Sequence, residues 1–158
     1  GLLAARALAP IDVAPERRWL DLPPREVLAR SEEALSQALR DWRRVAAGGG
    51  DAVRRVLGSV GASSPVYALR RSVRALCAED MELLDRCQAV EEALTQADLL
   101  AYSANFVETS GAVCPPGGPS NGGSCQSKYL GDTRAQVEAL LAAVKFLRGD
   151  LSLPTQEG

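Results

Sequence analysis

Apolar side chains in this chain recur three and four positions apart, the spacing that builds one face of an α-helix. Val27, Leu28, Ala34, Leu35, Ala38, Leu39, Trp42 and Val45 form the first series. Pro24 suits a first helical turn, where its missing N–H costs nothing. Gly48-Gly49-Gly50 supplies a left-handed terminus. The pattern predicts a helix over about residues 24–46. Asp51 is placed to cap the next start, and Val53, Val56, Leu57 and Val60 carry a second stripe. Gly58, Gly61 and Ser63-Ser64-Pro65 interrupt that stripe, so the second helix is split or kinked near residues 58–64. Ser64 as cap and Pro65 in the first turn restart it, and Leu69, Val73 and Leu76 continue its apolar face.

Between Pro65 and Gly111 the chain has neither Gly nor Pro. A single helix there would be a rod of about 68 Å, too long for a domain whose radius of gyration is about 15 Å. A break is therefore expected around Ala78-Glu79-Asp80, with Asp80 capping a third helix that carries Leu83, Leu84, Cys87, Val90, Leu94, Ala97 and Ala101 inward. Residues 110–127 read as loop throughout, rich in Gly, Pro, Ser and Asn. A fourth helix follows from Tyr129 to Leu147, with Val137, Leu140, Leu141, Val144 and Leu147 inward. The fold expected is all-α, a four-helix up-down bundle over residues 24–153. Before it lies an extended arm, residues 1–23, punctuated by Pro10, Pro15, Pro23 and Pro24 and tied down by Ile11, Val13, Trp19 and Leu20. A short tail, residues 154–158, follows it.

Composition agrees with this reading. Of the 158 residues, 46% are apolar, which excludes a disordered composition, and only 4% are aromatic, so Leu, Ala and Val carry the core. The net charge of -2 and the lack of a basic stripe with aromatics exclude a nucleic-acid footprint. Arg17-Arg18, Arg43-Arg44, Arg54-Arg55 and Arg70-Arg71 read first as solvated helix faces. No apolar run reaches the ~20 residues that span a bilayer. The chain begins at Gly1 without Met, which fits a leader already removed.

The four cysteines divide into two kinds. Cys114 and Cys125 flank the Gly/Pro loop, and a disulfide between them would close it, stabilise by about 3 kcal/mol and imply an oxidising compartment. Cys77 and Cys87 lie ten apart along helical sequence, about 15 Å on a straight helix, and are expected as buried free thiols. A zinc site is disfavoured, because no C-x-x-C spacing and no His occurs. The absence of His also removes the usual general base. Adjacent carboxylates such as Glu32-Glu33, Glu79-Asp80 and Glu91-Glu92 point about 100° apart on a helix, which suits solvent better than shared acid–base work. Gly48-Gly49-Gly50-Asp51 lacks the Lys-Ser/Thr of a phosphate cradle. No cofactor and no enzymatic activity are expected.

The third helical series ends in Glu92-Ala93-Leu94-Thr95-Gln96-Ala97-Asp98. The fourth opens with Lys128-Tyr129-Leu130-Gly131 and runs through Val137, Leu140 and Leu141 to Val144. With the Pro-rich arm, this resembles the PsbQ-like four-helix proteins of the thylakoid lumen over about residues 24–148. Among green-algal members it resembles the thylakoid-enriched-fraction proteins, related to a plant protein that maintains photosystem II under high light. The resemblance implies a non-enzymatic protein of the chloroplast thylakoid lumen. It would dock on lumenal-side subunits of photosystem II during assembly or repair, peripheral to the membrane and not inserted in it. The Cys-flanked loop and the split second helix depart from the ordinary oxygen-evolving-complex subunit and favour an auxiliary role.

Arg17, Arg18 and Trp19 in the arm, and Arg43 and Arg44 at the end of the first helix, are the expected contacts, since Trp and Arg most often dominate interfaces. A secreted or periplasmic helical adaptor or signalling protein follows the same disulfide logic and stands as the alternative. An enzyme or small-ligand carrier would require an apolar cavity with convergent polar groups between helices.

Overall fold

Pro15 sits at the start of a six-residue helix, α1 (Pro15–Leu20), in a computed structural model that describes residues 15–110 and 125–153. Residues 15–20 were expected to be extended. They are helical because Pro15 stands at the helix start and Arg17 and Arg18 fall in its last turn, where positive charge suits the helix dipole. The rest of the arm, most of the Gly/Pro loop with Cys114, and the tail lie outside the described residues. Every regular element among the described residues is helical, and none is a strand.

Pro24 opens α2 (Pro24–Arg40), and its inward face is Val27, Leu28, Ser31, Leu35 and Ala38. At Asp41 the backbone relaxes to φ -99°, ψ 22°, and α3 (Trp42–Ala47) continues with Trp42 buried. The first predicted helix is thus present, with a joint near its end. Gly49 takes the left-handed conformation at φ 78°, as a helix terminus prefers. However, α4 (Gly49–Val56) begins there, two residues before the expected cap. Asp51 therefore does not cap α4. Its N–H donates to Asn105 Oδ1 at 3.2 Å, and its carboxylate accepts from Asn105 Nδ2.

The split at residues 58–64 is present. Ser64 Oγ accepts from Val66 N at 3.2 Å and donates to Val56 O at 2.6 Å, so one hydroxyl both caps the restart and ties it to the end of α4. A 3-10 turn (Pro65–Ala68) leads into α5 (Leu69–Glu79). The break at Asp80 is also present. Asp80 adopts an extended conformation (φ -143°, ψ 100°), and its Oδ1 accepts from Glu82 N at 3.0 Å. After a short 3-10 turn (Met81–Leu83) the chain continues in α6 (Leu84–Ser110).

That reversal overturns the reading of Cys77 and Cys87 as free thiols. They form a disulfide across the turn, with Cα atoms 6.5 Å apart. The large separation expected of them holds only on an unbroken helix; Asp80 ends α5, and the chain doubles back.

The last helix, α7 (Cys125–Leu151), extends beyond the expected span at both ends. Its buried positions are Leu130, Thr133, Val137, Leu140, Val144 and Leu147, in strict alternation of three and four. On α6 the buried positions Cys87, Val90, Leu94, Ala97, Ala101 and Ala104 follow the same alternation, with Ala93 buried beside Leu94. This 3.5-residue period is the seam of coiled-coil-like packing. Arg86 Nε donates to Asp150 Oδ2 at 2.9 Å, joining the first turn of α6 to the last of α7 and making the pair antiparallel. Arg25 Nη1 donates to Leu151 O at 3.0 Å, which sets α2 antiparallel to α7. Arg54–Asp98 with Asp51–Asn105, and Arg74–Glu91 with Arg70–Thr95, set α4 and α5 antiparallel to α6. The core runs continuously through these helices; Trp19, Val27 and Ala68 form a smaller cluster beside it. Two polar side chains lie deep in this interior. Thr133 Oγ1 donates to Tyr129 O at 2.6 Å, whereas Ser31 Oγ has no partner among the described residues. No described helix is long and apolar enough to cross a membrane.

Gly50 shows how closely α4 approaches α6. A Cβ there would lie 2.0 Å from the carbonyl oxygen of Ala101. Gly50→Ala is expected to lower unfolding stability by about 2–3 kcal/mol, because backbone must move. Gly131→Ala, at an exposed helical position with open space around it, should gain about 0.5–1 kcal/mol. Urea denaturation of both variants measures the contrast. Replacing Cys77 and Cys87 together with Ala should cost about 2.7 kcal/mol by the loop-entropy relation, read by the same measurement.

Candidate functional site

The residues expected to contact a partner are dispersed. Arg17 and Arg18 are exposed on α1, and the Arg18 guanidinium lies 4.6 Å from the centre of the Trp19 ring. Trp19 itself is only 8% exposed. Its indole N–H donates to Ala62 O at 2.9 Å, and its ring packs on Val27 and Ala68. Trp19 therefore packs into the fold: its apolar body is covered by α2 and the 3-10 turn, and its one donor is already used. Arg43 and Arg44 are exposed on α3; Arg44 Nη2 lies 3.1 Å from Asp41 Oδ2 while its side chain stays 82% exposed. The two arginine pairs sit beyond opposite ends of α2, whose 17 residues span about 25 Å, so they do not form one patch. Of the cysteines expected to pair, Cys125 is disulfide-bonded, and Cys114 lies outside the described residues.

A different surface gathers apolar and polar groups. A cleft of about 430 Å³ opens between α6 and the segment joining α4 to α5. Leu57, Val66 and Leu94 are buried and form its floor, while Tyr67, Leu99 and Tyr102 form exposed walls. Arg70, Thr95 and Asp98 supply polar groups along its rim. Asp98 is held by Arg54, with Nε to Oδ1 at 2.9 Å, and the Arg54 guanidinium also lies 5.2 Å from the Tyr102 ring centre. Tyr102 stacks on Phe106, ring centres 6.3 Å apart.

Gly58 shapes this wall. Its φ of 77° is left-handed, and a Cβ there would meet the backbone N and Cα of Tyr67 at 2.4 Å. The chain can thus fold back on itself tightly enough to present the Tyr67 ring. The size and lining of the cleft fall in the range typical of ligand or side-chain recognition sites: apolar surface with a few placed polar groups. A smaller hollow of about 150 Å³ lies beside Arg25, Arg148, Leu151 and Ser152. Its guanidiniums are engaged, Arg25 with Leu151 O and Arg148 with Glu32.

The cleft was not anticipated from sequence, although a signal for it exists. Thr95, Leu99, Tyr102 and Phe106 repeat the three-and-four spacing of the core stripe on another face of the same helix. Tyr67 and Arg70 carry no such signal, because only the split at residues 58–64 brings them beside α6. No family model, curated protein or solved structure matches the chain.

Gly58→Ala is expected to cost about 2–4 kcal/mol, combining left-handed strain with the clash against Tyr67. Thermal unfolding followed by circular dichroism measures the loss.

Proposed function

We propose that this protein is a non-enzymatic accessory protein of the chloroplast thylakoid lumen that docks on lumenal-side subunits of photosystem II during assembly or repair. The observation that carries the docking role is the exposed apolar and aromatic face formed by Tyr67, Leu99 and Tyr102. Leu99 and Tyr102 are 54% and 50% exposed on a helix whose opposite side is fully used in the core. A contiguous apolar surface of this kind is characteristic of interaction sites. The PsbQ-like pattern in the third and fourth helical series supplies the identity of the partner. The Cys77–Cys87 disulfide fits an oxidising compartment.

In this reading the helices form a four-rod up-down bundle. One rod is α2 with α3, a second is α4 with α5, and α6 and α7 are the third and fourth; the antiparallel pairings described above support it. A Cys114–Cys125 bridge closes the Gly/Pro loop, for which the bonded state of Cys125 is the support. Arg17, Arg18, Arg43 and Arg44 lie outside the cleft, and as exposed cations they would act on the association rate more than on the affinity. The disulfide fits a secreted or periplasmic adaptor or signalling protein equally well, and that is the second reading. A bipartite transit peptide in the precursor, as against a conventional secretory signal, separates the two.

Affinity-tagged protein recovered from thylakoids is expected to carry photosystem II subunits, and cross-linking mass spectrometry should name the subunit touched. Recovery without any photosystem II subunit would refute the docking assignment.

A further inference from the structure

We propose that the cleft walled by Tyr67, Leu99 and Tyr102 seats a partner polypeptide that brings an apolar or aromatic side chain together with a carboxylate, the carboxylate pairing with Arg70. The inference rests on the docking role proposed above, and it specifies the surface and the chemistry of the partner segment.

Shape and charge agree on this occupant. The floor of Leu57, Val66 and Leu94 is buried and apolar, and the two tyrosine rings face solvent above it, as a pocket for an anchor side chain requires. The charges around the cleft do not balance. Arg54 and Asp98 neutralise each other at 2.9 Å. Arg74 holds Glu91 at 2.7 Å, which leaves Arg70 only 3.9 Å from the same carboxylate. The other partner of Arg70 is the neutral hydroxyl of Thr95, at 3.1 Å. Arg70 and Arg74 thus share the single Glu91 carboxylate, which leaves one positive charge in excess within that group of three. Arg70 is 38% exposed and presents a planar fork suited to a carboxylate.

The extent of the surface selects a polypeptide over a small molecule. A small carboxylate would fill the hollow and leave the outward faces of Leu99 and Tyr102 wet. From Thr95 to Tyr102 the exposed ladder runs about 10 Å along α6, which a chain segment can cover while still reaching the cleft. A second copy of this protein fits poorly, because a two-fold contact here would set the same positive surplus against itself.

The test has two arms, both using the full chain. In the first, benzoylphenylalanine is incorporated at position 99 or, separately, at position 43, and each protein is irradiated with purified photosystem II cores. Label from position 99 should reach a lumenal segment with an apolar side chain within about one helical turn of Asp or Glu. Arg70→Glu, confirmed folded by circular dichroism, should cut the yield about fivefold. Reversing the partner's acidic residue to Arg should restore it. Label from position 43 alone overturns the cleft and leaves the docking role standing. Label from position 99 to a second copy, or a yield indifferent to Arg70→Glu, also overturns the proposal.

The second arm does not depend on photosystem II and decides the cleft if both positions stay silent. A blocked fluorescent helical peptide carrying Phe and Asp one turn apart should bind the wild-type chain about fivefold tighter than the Arg70→Glu variant. Replacing its Asp with Lys should reverse that preference. Equal binding of the two peptides, or phenylpropanoate binding as tightly as the peptide, overturns the proposal.

Discussion

Helix α6 is the element against which α4, α5 and α7 are placed, and the small side chains on its inward face make that placement feasible. Ala93, Ala97, Ala101 and Ala104 are all buried, and together they leave one side of a 27-residue helix with little bulk. Backbones can therefore come close. The carbonyl of Ala101 lies against Gly50, whose own lack of a Cβ completes the fit. Leu130, Val137, Leu140, Val144 and Leu147 line the buried face of α7, which runs antiparallel to α6. The buried positions of both helices follow a 3.5-residue period, and the closest backbone approach is that of Gly50 to Ala101. Apolar burial supplies the drive, but the spacing of the buried positions fixes which faces meet. Ion pairs such as Arg54–Asp98, Arg74–Glu91 and Arg86–Asp150 lie at the margins of these contacts and help set direction more than stability.

Reading the sequence succeeded wherever local chemistry decides structure. The Ser64-Pro65 restart and the break at Asp80 are each governed by one side chain bonding a nearby backbone N–H, and such caps are visible in a short window of sequence. Most positions of the core stripes were legible for the same reason, since spacing of three and four is local information; Leu84, expected inward, is instead 39% exposed at the start of α6. The reading of Cys77 and Cys87 failed at a step that was within reach. The separation of about 15 Å holds only on a straight helix, and the break at Asp80 removes that geometry. A turn near the midpoint of two cysteines ten apart is what permits them to meet. Asp51 failed differently. It is a good N-cap residue by type, but Gly49 turned the chain early, and Asn105 from a distant helix claimed its donor and acceptor groups. Such competition from tertiary contacts leaves no local trace.

The surface was less legible than the core. Trp19 illustrates the difficulty: its type favours interfaces, yet it is also one of the apolar residues expected to tie the arm down. Its burial depends on Ala62 and Ala68, which only the split second helix delivers to it. Leu99 and Tyr102 present the opposite case. Their periodicity is plain, but in sequence they read as an extra width of core stripe. Whether an apolar position is covered depends on which neighbours arrive, and those are set by the whole fold.

Burial of the Cys77–Cys87 bridge adds a kinetic argument to the thermodynamic one. Both cysteines are shielded within the core cluster at the α5–α6 turn. Thiol–disulfide exchange needs an attacking thiolate to reach a sulfur, so access limits the rate as much as reduction potential does. Here access requires the turn at residues 80–83 to open, and that turn is held by the Asp80 cap and by Leu83 buried beneath it. The bridge and the turn therefore protect one another: the disulfide keeps α5 folded back on α6, and the packed turn keeps reductant from the sulfurs. Because the same hairpin positions Arg70 and Arg74 against Glu91, the charge imbalance at the cleft is itself maintained by a bond some distance below it. A surface built this way holds its geometry through a covalent staple in the core, so that its exposed side chains stay in place without reorganising the helices that carry them.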